Sequence, residues 1–123
     1  MIGWWFVVAQ QTPEERDRAT DDKAFVLATW ETSVSGIDWL RKLTEEGQAT
    51  QLTFDGYPNR FVAAASALLP LIAGGPPPHS GPEITGDNSV MPGDWTAKVT
   101  LNHDKIAACP PDQILTIDVW DQS

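Results

Sequence analysis

The stretch Phe54–Ile72, FDGYPNRFVAAASALLPLI, constrains this chain most, because its apolar residues recur at helical spacing. Phe61, Ala65, Leu68 and Ile72 fall at steps of four, three and four, the stripe of a helix buried along one side. Val62 and Leu69 widen that stripe, while Ala63, Ala64, Ser66 and Ala67 keep the remaining sides small. Such a helix packs closely against neighbours over most of its circumference. The pattern predicts a tight turn at Asp55-Gly56 and then a helix over 58–72, with Pro58 in the first turn where its missing N–H costs nothing. This helix is expected to be the central packing element.

Beyond Ile72 the texture changes. Residues 73–93 hold Gly74-Gly75, Pro76-Pro77-Pro78, Gly81-Pro82, Gly86 and Pro92-Gly93, which forbids a helix and disfavours a long strand. A loop without regular structure beyond single turns is expected there. Order returns with Trp95, Ala97, Val99 and Leu101 alternating with Thr96, Lys98, Thr100 and Asn102, a half-buried strand with the odd-numbered residues inward. A helical turn at Ile106–Cys109, closed by Pro110-Pro111, precedes a last strand, Ile114–Trp120, with Leu115, Ile117 and Val119 on one face.

The N-terminal half reads as strand, charged connection, strand, helix, strand. Ile2–Ala9 is continuously apolar, as an inner strand is. Thr12-Pro13-Glu14-Glu15 has the form of a capping box, with Thr12 at the N-cap and Glu15 at N3. Only Ala19 is apolar between Arg16 and Asp22, so any helix there is a short solvated turn. Lys23–Trp30 is a second strand, able to pair antiparallel with the first. Ser33–Gly47 reads as a helix with Ser35 as cap, an inward stripe of Ile37, Leu40 and Leu43, Trp39 beside it, and Gly47 at C′. Gln48–Phe54 alternates, with Thr50, Leu52 and Phe54 on one face. The order β-β-α-β-α-loop-β-β over residues 1–123 predicts a single α+β domain. Its sheet is mixed or mainly antiparallel with about five strands, and two helices pack on it.

Net charge is −9, with 10 acids to 6 bases in residues 1–60 and 7 to 2 in residues 61–123, so the acidity is spread over both halves. Phosphate contacts need clustered Lys and Arg, so direct nucleic-acid binding is not expected. The same sign disfavours an anionic membrane surface, and no apolar run approaches the roughly 20 residues of a membrane helix. The lone Cys109 and the lack of a basic residue ahead of the N-terminal apolar run point to a cytoplasmic protein. A basic protein partner is favoured, since opposite charge speeds encounter.

Chemistry-bearing residues are few. His79, His103, Asp104 and Cys109 are the polar cluster from which a nucleophilic or metal site would have to be built. Their spacing matches no metal-ligand or nucleophile motif, so no cofactor, no metal and no catalysis are expected. Tyr57 and Arg60 sit at the start of the predicted 58–72 helix, where free N–H groups favour an anion and both side chains suit contact. Six tryptophans are many for 123 residues. Adjacent strand residues face opposite ways, so one of Trp4 and Trp5 points away from the helices, and Trp120, out of phase with Leu115, Ile117 and Val119, joins it. Exposed tryptophan among polar residues marks a protein contact, and a homodimer would bury the same side chains. The sequence thus points to a small acidic interaction module, inhibitor-like, immunity-like or an accessory subunit. The alternative is a small enzyme or ligand-binding protein with a pocket between the 58–72 helix and the 73–93 loop.

Overall fold

The structure is a computed structural model that describes residues 3–18, 25–52, 59–77, 84–85, 90–91 and 96–121. Its elements are β1 (Trp4–Ala9), α1 (Pro13–Arg18), β2 (Val26–Thr32), α2 (Asp38–Glu45), β3 (Ala49–Gln51), β4 (Asn59–Ala64), α3 (Ala65–Ile72), β5 (Ile84–Thr85), β6 (Val90–Met91), β7 (Thr96–Leu101), α4 (His103–Ala108) and β8 (Ile114–Asp121). A single 3-10 turn, Val34–Ile37, leads into α2. Six strands form one sheet in the order β3-β4-β8-β1-β2-β7. Every pair in it is antiparallel. The α+β class and the antiparallel sheet match the sequence reading, with six strands where about five were expected. The small β5-β6 pair is a separate ladder within the 73–93 segment.

β1, apolar on both faces, lies between β8 and β2, where such a strand is covered on both edges. Phe6 stands opposite Val119 on one side and Trp30 on the other, and Val8 opposite Ile117 and Ala28. These side chains share one face with Phe61, Ala63 and Leu115. Leu40 and Leu43 of α2, Leu68, Leu69 and Ile72 of α3, and Ile106 of α4 complete the same core. Fully burying each such large apolar side chain contributes about 1.5–3 kcal/mol. Phe6 stacks on Trp30 with ring centroids 4.9 Å apart, and Trp39 lies 5.9 Å from Phe6. The expected Ile37, Leu40 and Leu43 stripe is buried as read, and Gly47 ends α2 at a φ of 78°. No side-chain cap forms at Ser33 or Ile37, and Ser35 falls inside the 3-10 turn. Gly36 in that turn is held by crowding, because a Cβ there would come within 1.9 Å of Thr32 Oγ1.

Three local readings are corrected. Residues 59–64 of the expected 58–72 helix are the strand β4, paired with β8 from Asn59↔Val119 to Ala64↔Ile114. Only Ala65–Ile72 is helical. Phe61 and Ala65 both face the core, one from a strand and one from a helix, so their spacing of four imitates a helical stripe. The helix begins at Ala65 because its first amides are bound from elsewhere in the chain: Ala65 N–H donates to the Gln113 carbonyl and Ser66 N–H to that of Pro111. In β3 the inward residue is Ala49, while Thr50 is exposed and Leu52 beyond it is 47% exposed, opposite to the predicted face. In β7 the alternation breaks at Lys98, whose φ of 52° marks a bulge opposite Trp30. Leu101 therefore faces the core beside Ala28, Ala97 lies opposite Glu31 on the other face, and Val99 is 44% exposed. The Asp55-Gly56 turn, Pro58 and Trp95 lie outside the described residues.

Candidate functional site

The face of the sheet turned away from α2 and α3 is built from the alternate residues of the same strands. One row across it runs Arg60, Asp118, Val7, Thr29, Thr100. The next runs Trp120, Trp5, Glu31, Ala97. In β8 the polar phase follows from the sequence ILTIDVWD, in which Thr116, Asp118 and Trp120 alternate with the core residues.

Asp118 is 1% exposed, and two cations hold it. Arg60 donates from Nε to Oδ1 at 2.7 Å and from Nη2 to Oδ2 at 3.2 Å. Arg16 of α1 donates from Nε to Oδ2. Arg60 reaches on to Asp17 through Nη1 at 2.8 Å. Its hydrogen bonds to Asp118 raise its pKa, those to Asp17 add to this, and partial burial opposes them, so it stays a cation at any ordinary pH. The network clamps α1 onto this face. The capping box supports the helix itself, with Glu15 N–H donating to Thr12 Oγ1 at 3.3 Å and Thr12 N–H to Glu15 Oε1 at 3.0 Å. Behind it Thr116 Oγ1 donates to the Gln11 carbonyl at 2.7 Å. At the other side of the face Lys98 Nζ meets the buried Glu31 Oε1 at 2.9 Å.

Trp5 and Trp120 are register partners on this face, both half-buried. Beside Trp5 opens a groove of about 540 Å³ floored by Leu27, Thr29, Thr100 and Asn102. Trp4 faces the other way and packs on the core. Of the residues singled out in sequence, then, Trp5, Trp120 and Arg60 share a face, and Arg60 is occupied there with acids. Tyr57 and His79 lie outside the described residues. The anion-binding argument loses its premise for Arg60, which lies in the strand β4 and not at the start of a helix. The parts that sequence reasoning missed are Arg16, Asp17, Asp118 and Gln11. Asp118, between Ile117 and Val119 on the outward phase of a strand, was the available signal.

His103, Asp104 and Cys109 do not converge. His103 begins α4 and Cys109 follows its last residue, about 9 Å along the axis at 1.5 Å per residue. Asn102 caps the helix by accepting from Lys105 N–H at 3.1 Å. Burial pushes the Cys109 thiol pKa up, which keeps it protonated and a poor nucleophile. It lines a cleft of about 260 Å³ with Ala65, Ser66, Leu69, Pro70 and Pro111. This cleft lies between α3 and the turn before β8, and Ala73, the first residue of the 73–93 segment, lines it as well. Among the described residues no group of three or more His, Cys, Asp or Glu side chains is arranged to hold a metal, and no helix is long and apolar enough to cross a membrane.

Comparison with protein-family models, curated proteins and solved structures finds no match to this chain.

Proposed function

We propose that the protein is a non-catalytic interaction module, inhibitor-like, immunity-like or an accessory subunit, which binds a basic protein partner through the sheet face that carries Trp5 and Trp120. The observation that carries this reading is the pairing of those two indoles, in register and half-buried, beside a groove on the face opposite α2 and α3. Tryptophan in such a position anchors protein contacts. The sign of the partner follows from charge. The described cations on and around this face are already matched, Arg16 and Arg60 by Asp118 and Asp17, Lys98 by Glu31 and Arg18 by Glu14, in a chain of net charge −9. What remains to act at a distance is negative, and it steers a positive surface inward.

The test is a pull-down from the native cell with three baits: the wild type, Trp5→Ser/Trp120→Ser, and Arg41→Ser/Lys42→Ser on α2 as a control. The expected result is a protein with a basic surface retained by the wild type and the control and lost by the double tryptophan variant. Its association should slow markedly between about 50 and 500 mM salt while dissociation changes little, because screening acts on the approach. Retention of every partner by the tryptophan variant would overturn the reading.

A further inference from the structure

Two acids lie buried on the sheet face that carries Trp5 and Trp120, and they are held differently. Asp118 accepts from Arg60 Nε and Nη2 and from Arg16 Nε, so both of its oxygens are taken by guanidinium groups. The Glu31 side chain is 5% exposed, and among the described residues its carboxylate has a single charge partner, Lys98, with Nζ 2.9 Å from Oε1. That partner is weakly placed. The Lys98 side chain is 75% exposed. Its backbone is left-handed at a φ of 52°, a conformation that strains any residue with a Cβ. An ammonium on a flexible stem is a point charge, whereas a planar guanidinium meets both oxygens of a carboxylate at once.

Glu31 also stands directly opposite Trp5 in the β1–β2 pair, on the same face of the sheet. Residues so paired have Cβ atoms about 4.5–5.5 Å apart, which brings the indole within reach of whatever sits on the carboxylate. An acid beside an aromatic ring suits a cation, which the carboxylate holds by charge and the ring by its negative face. We propose that Glu31 is the anchoring acid of this face: an arginine side chain of the basic partner displaces Lys98, pairs with Glu31 and lies against Trp5. Lys98 is then a placeholder that keeps the buried carboxylate compensated until the partner arrives. The exchange leaves no buried charge unpaired, and a lysine from the partner would gain nothing over Lys98. Asp118 is excluded from this part, since two guanidinium groups of the chain itself already hold it. The proposal rests on the reading of the protein as a binder of basic partners, and it names the residue that reads arginine in that partner.

The experiment needs no partner. The folded protein, labelled with 13C and 15N, is titrated at low salt with acetyl-arginine methylamide, and in parallel with the lysine, norleucine and aspartate analogues. The Lys98 Cε and the Trp5 indole N–H signals are followed. The expected result is a saturable shift of both with the arginine probe, a response about fivefold weaker with lysine, and none with norleucine or aspartate. Lys98→Gly removes the competing ammonium and keeps the bulge, because glycine adopts that φ without strain. It should tighten the arginine probe about fivefold, read at Trp5. Glu31→Gln keeps the shape and removes the charge, and should abolish the shift. No saturable shift with arginine in either the wild type or Lys98→Gly, an equal response to norleucine or lysine, or unchanged binding in Glu31→Gln would each overturn the proposal. So would binding no tighter in a folded Lys98→Gly; should that variant not fold, the wild type and Glu31→Gln decide alone. A failed titration leaves the Trp5–Trp120 pull-down standing, and a partner retained without those tryptophans leaves this titration untouched.

Discussion

The two faces of one sheet solve different problems with residues that alternate along the same strands. Toward α2 and α3 the strands present Phe6, Val8, Trp30, Phe61, Leu115, Ile117 and Val119, each at most 1% exposed. Toward α1 they present Trp5, Asp118, Arg60 and Glu31, of which Asp118 and Glu31 are buried, at 1% and 3% exposed. The first face is held by apolar area and ring stacking, which are tolerant of direction. The second is held by charge pairs, which stabilise only while every member is present. A face organised in this way is costly to alter piecemeal. It also keeps two indoles half-open to solvent, which a face given over to packing alone would have closed.

The largest effects separate the two mechanisms. Phe6→Ala removes a stacked core ring and should cost about 3–5 kcal/mol in chemical denaturation. Asp118→Ala should cost a similar amount, about 3–5 kcal/mol, by leaving two guanidinium groups with no carboxylate beneath them. The pair differs in its rescue. Replacing the network together, Arg16→Met, Asp118→Leu and Arg60→Met, should return stability to within about 1–2 kcal/mol of the wild type. Should the triple variant be as unstable as Asp118→Ala, the contrast between the faces would be wrong. Gly36→Ala tests the apolar side at a position of pure crowding, and should cost about 1–3 kcal/mol as Thr32 is pushed aside. Loss of less than half a kilocalorie there would mean that the turn relaxes freely.

Smaller effects sharpen the account of the α1 side. Thr12→Ala removes the cap of α1 and should cost about 1 kcal/mol, read as faster amide exchange in residues 14–16. The reciprocal half of the box is pH-dependent. The hydrogen bond from Thr12 N–H, with that from its hydroxyl, lowers the Glu15 pKa below the ordinary carboxylate value. A lowered folded pKa stabilises at pH above the unfolded value and is lost as pH falls through the folded one. Protection of the α1 amides, relative to their intrinsic exchange rates, should therefore fall in acid before that of the core strands. Simultaneous exposure of α1 and β1 would contradict a separate α1 clamp.

How much of this was legible in the sequence depends on what each signal was. Strands with a strict period of two and a fixed turn chemistry were readable: β8 with Leu115, Ile117 and Val119 inward, β1 as an inner strand, the α2 stripe, Gly47 at its end and the Thr12–Glu15 box. Positions set by distant partners were not. Whether 59–64 is strand or helix is decided by β8, more than fifty residues on, and the start of α3 is decided by the carbonyls of Pro111 and Gln113. One left-handed residue, Lys98, broke the phase within β7, turning Ala97 outward while Leu101 stays inward as read, and lysine gives no warning of that. At the candidate site, alternation put one of Trp4 and Trp5 on the face with Trp120 and left open which, and the register decides for Trp5. The Arg16–Asp118–Arg60 network did not, because its members come from three elements whose packing no local pattern encodes.

The central claim is that the face bearing Trp5 and Trp120 binds and the face bearing Trp30 and Trp39 folds. Fluorine NMR of the protein labelled with 5-fluorotryptophan reads both at once, with each line assigned by single Trp→Phe variants. On addition of the partner recovered by the wild-type bait, the Trp5 and Trp120 lines should shift or broaden while the Trp30 and Trp39 lines stay in place. Shifts confined to Trp30 and Trp39, or none at Trp5 and Trp120 at saturating partner, would contradict the account.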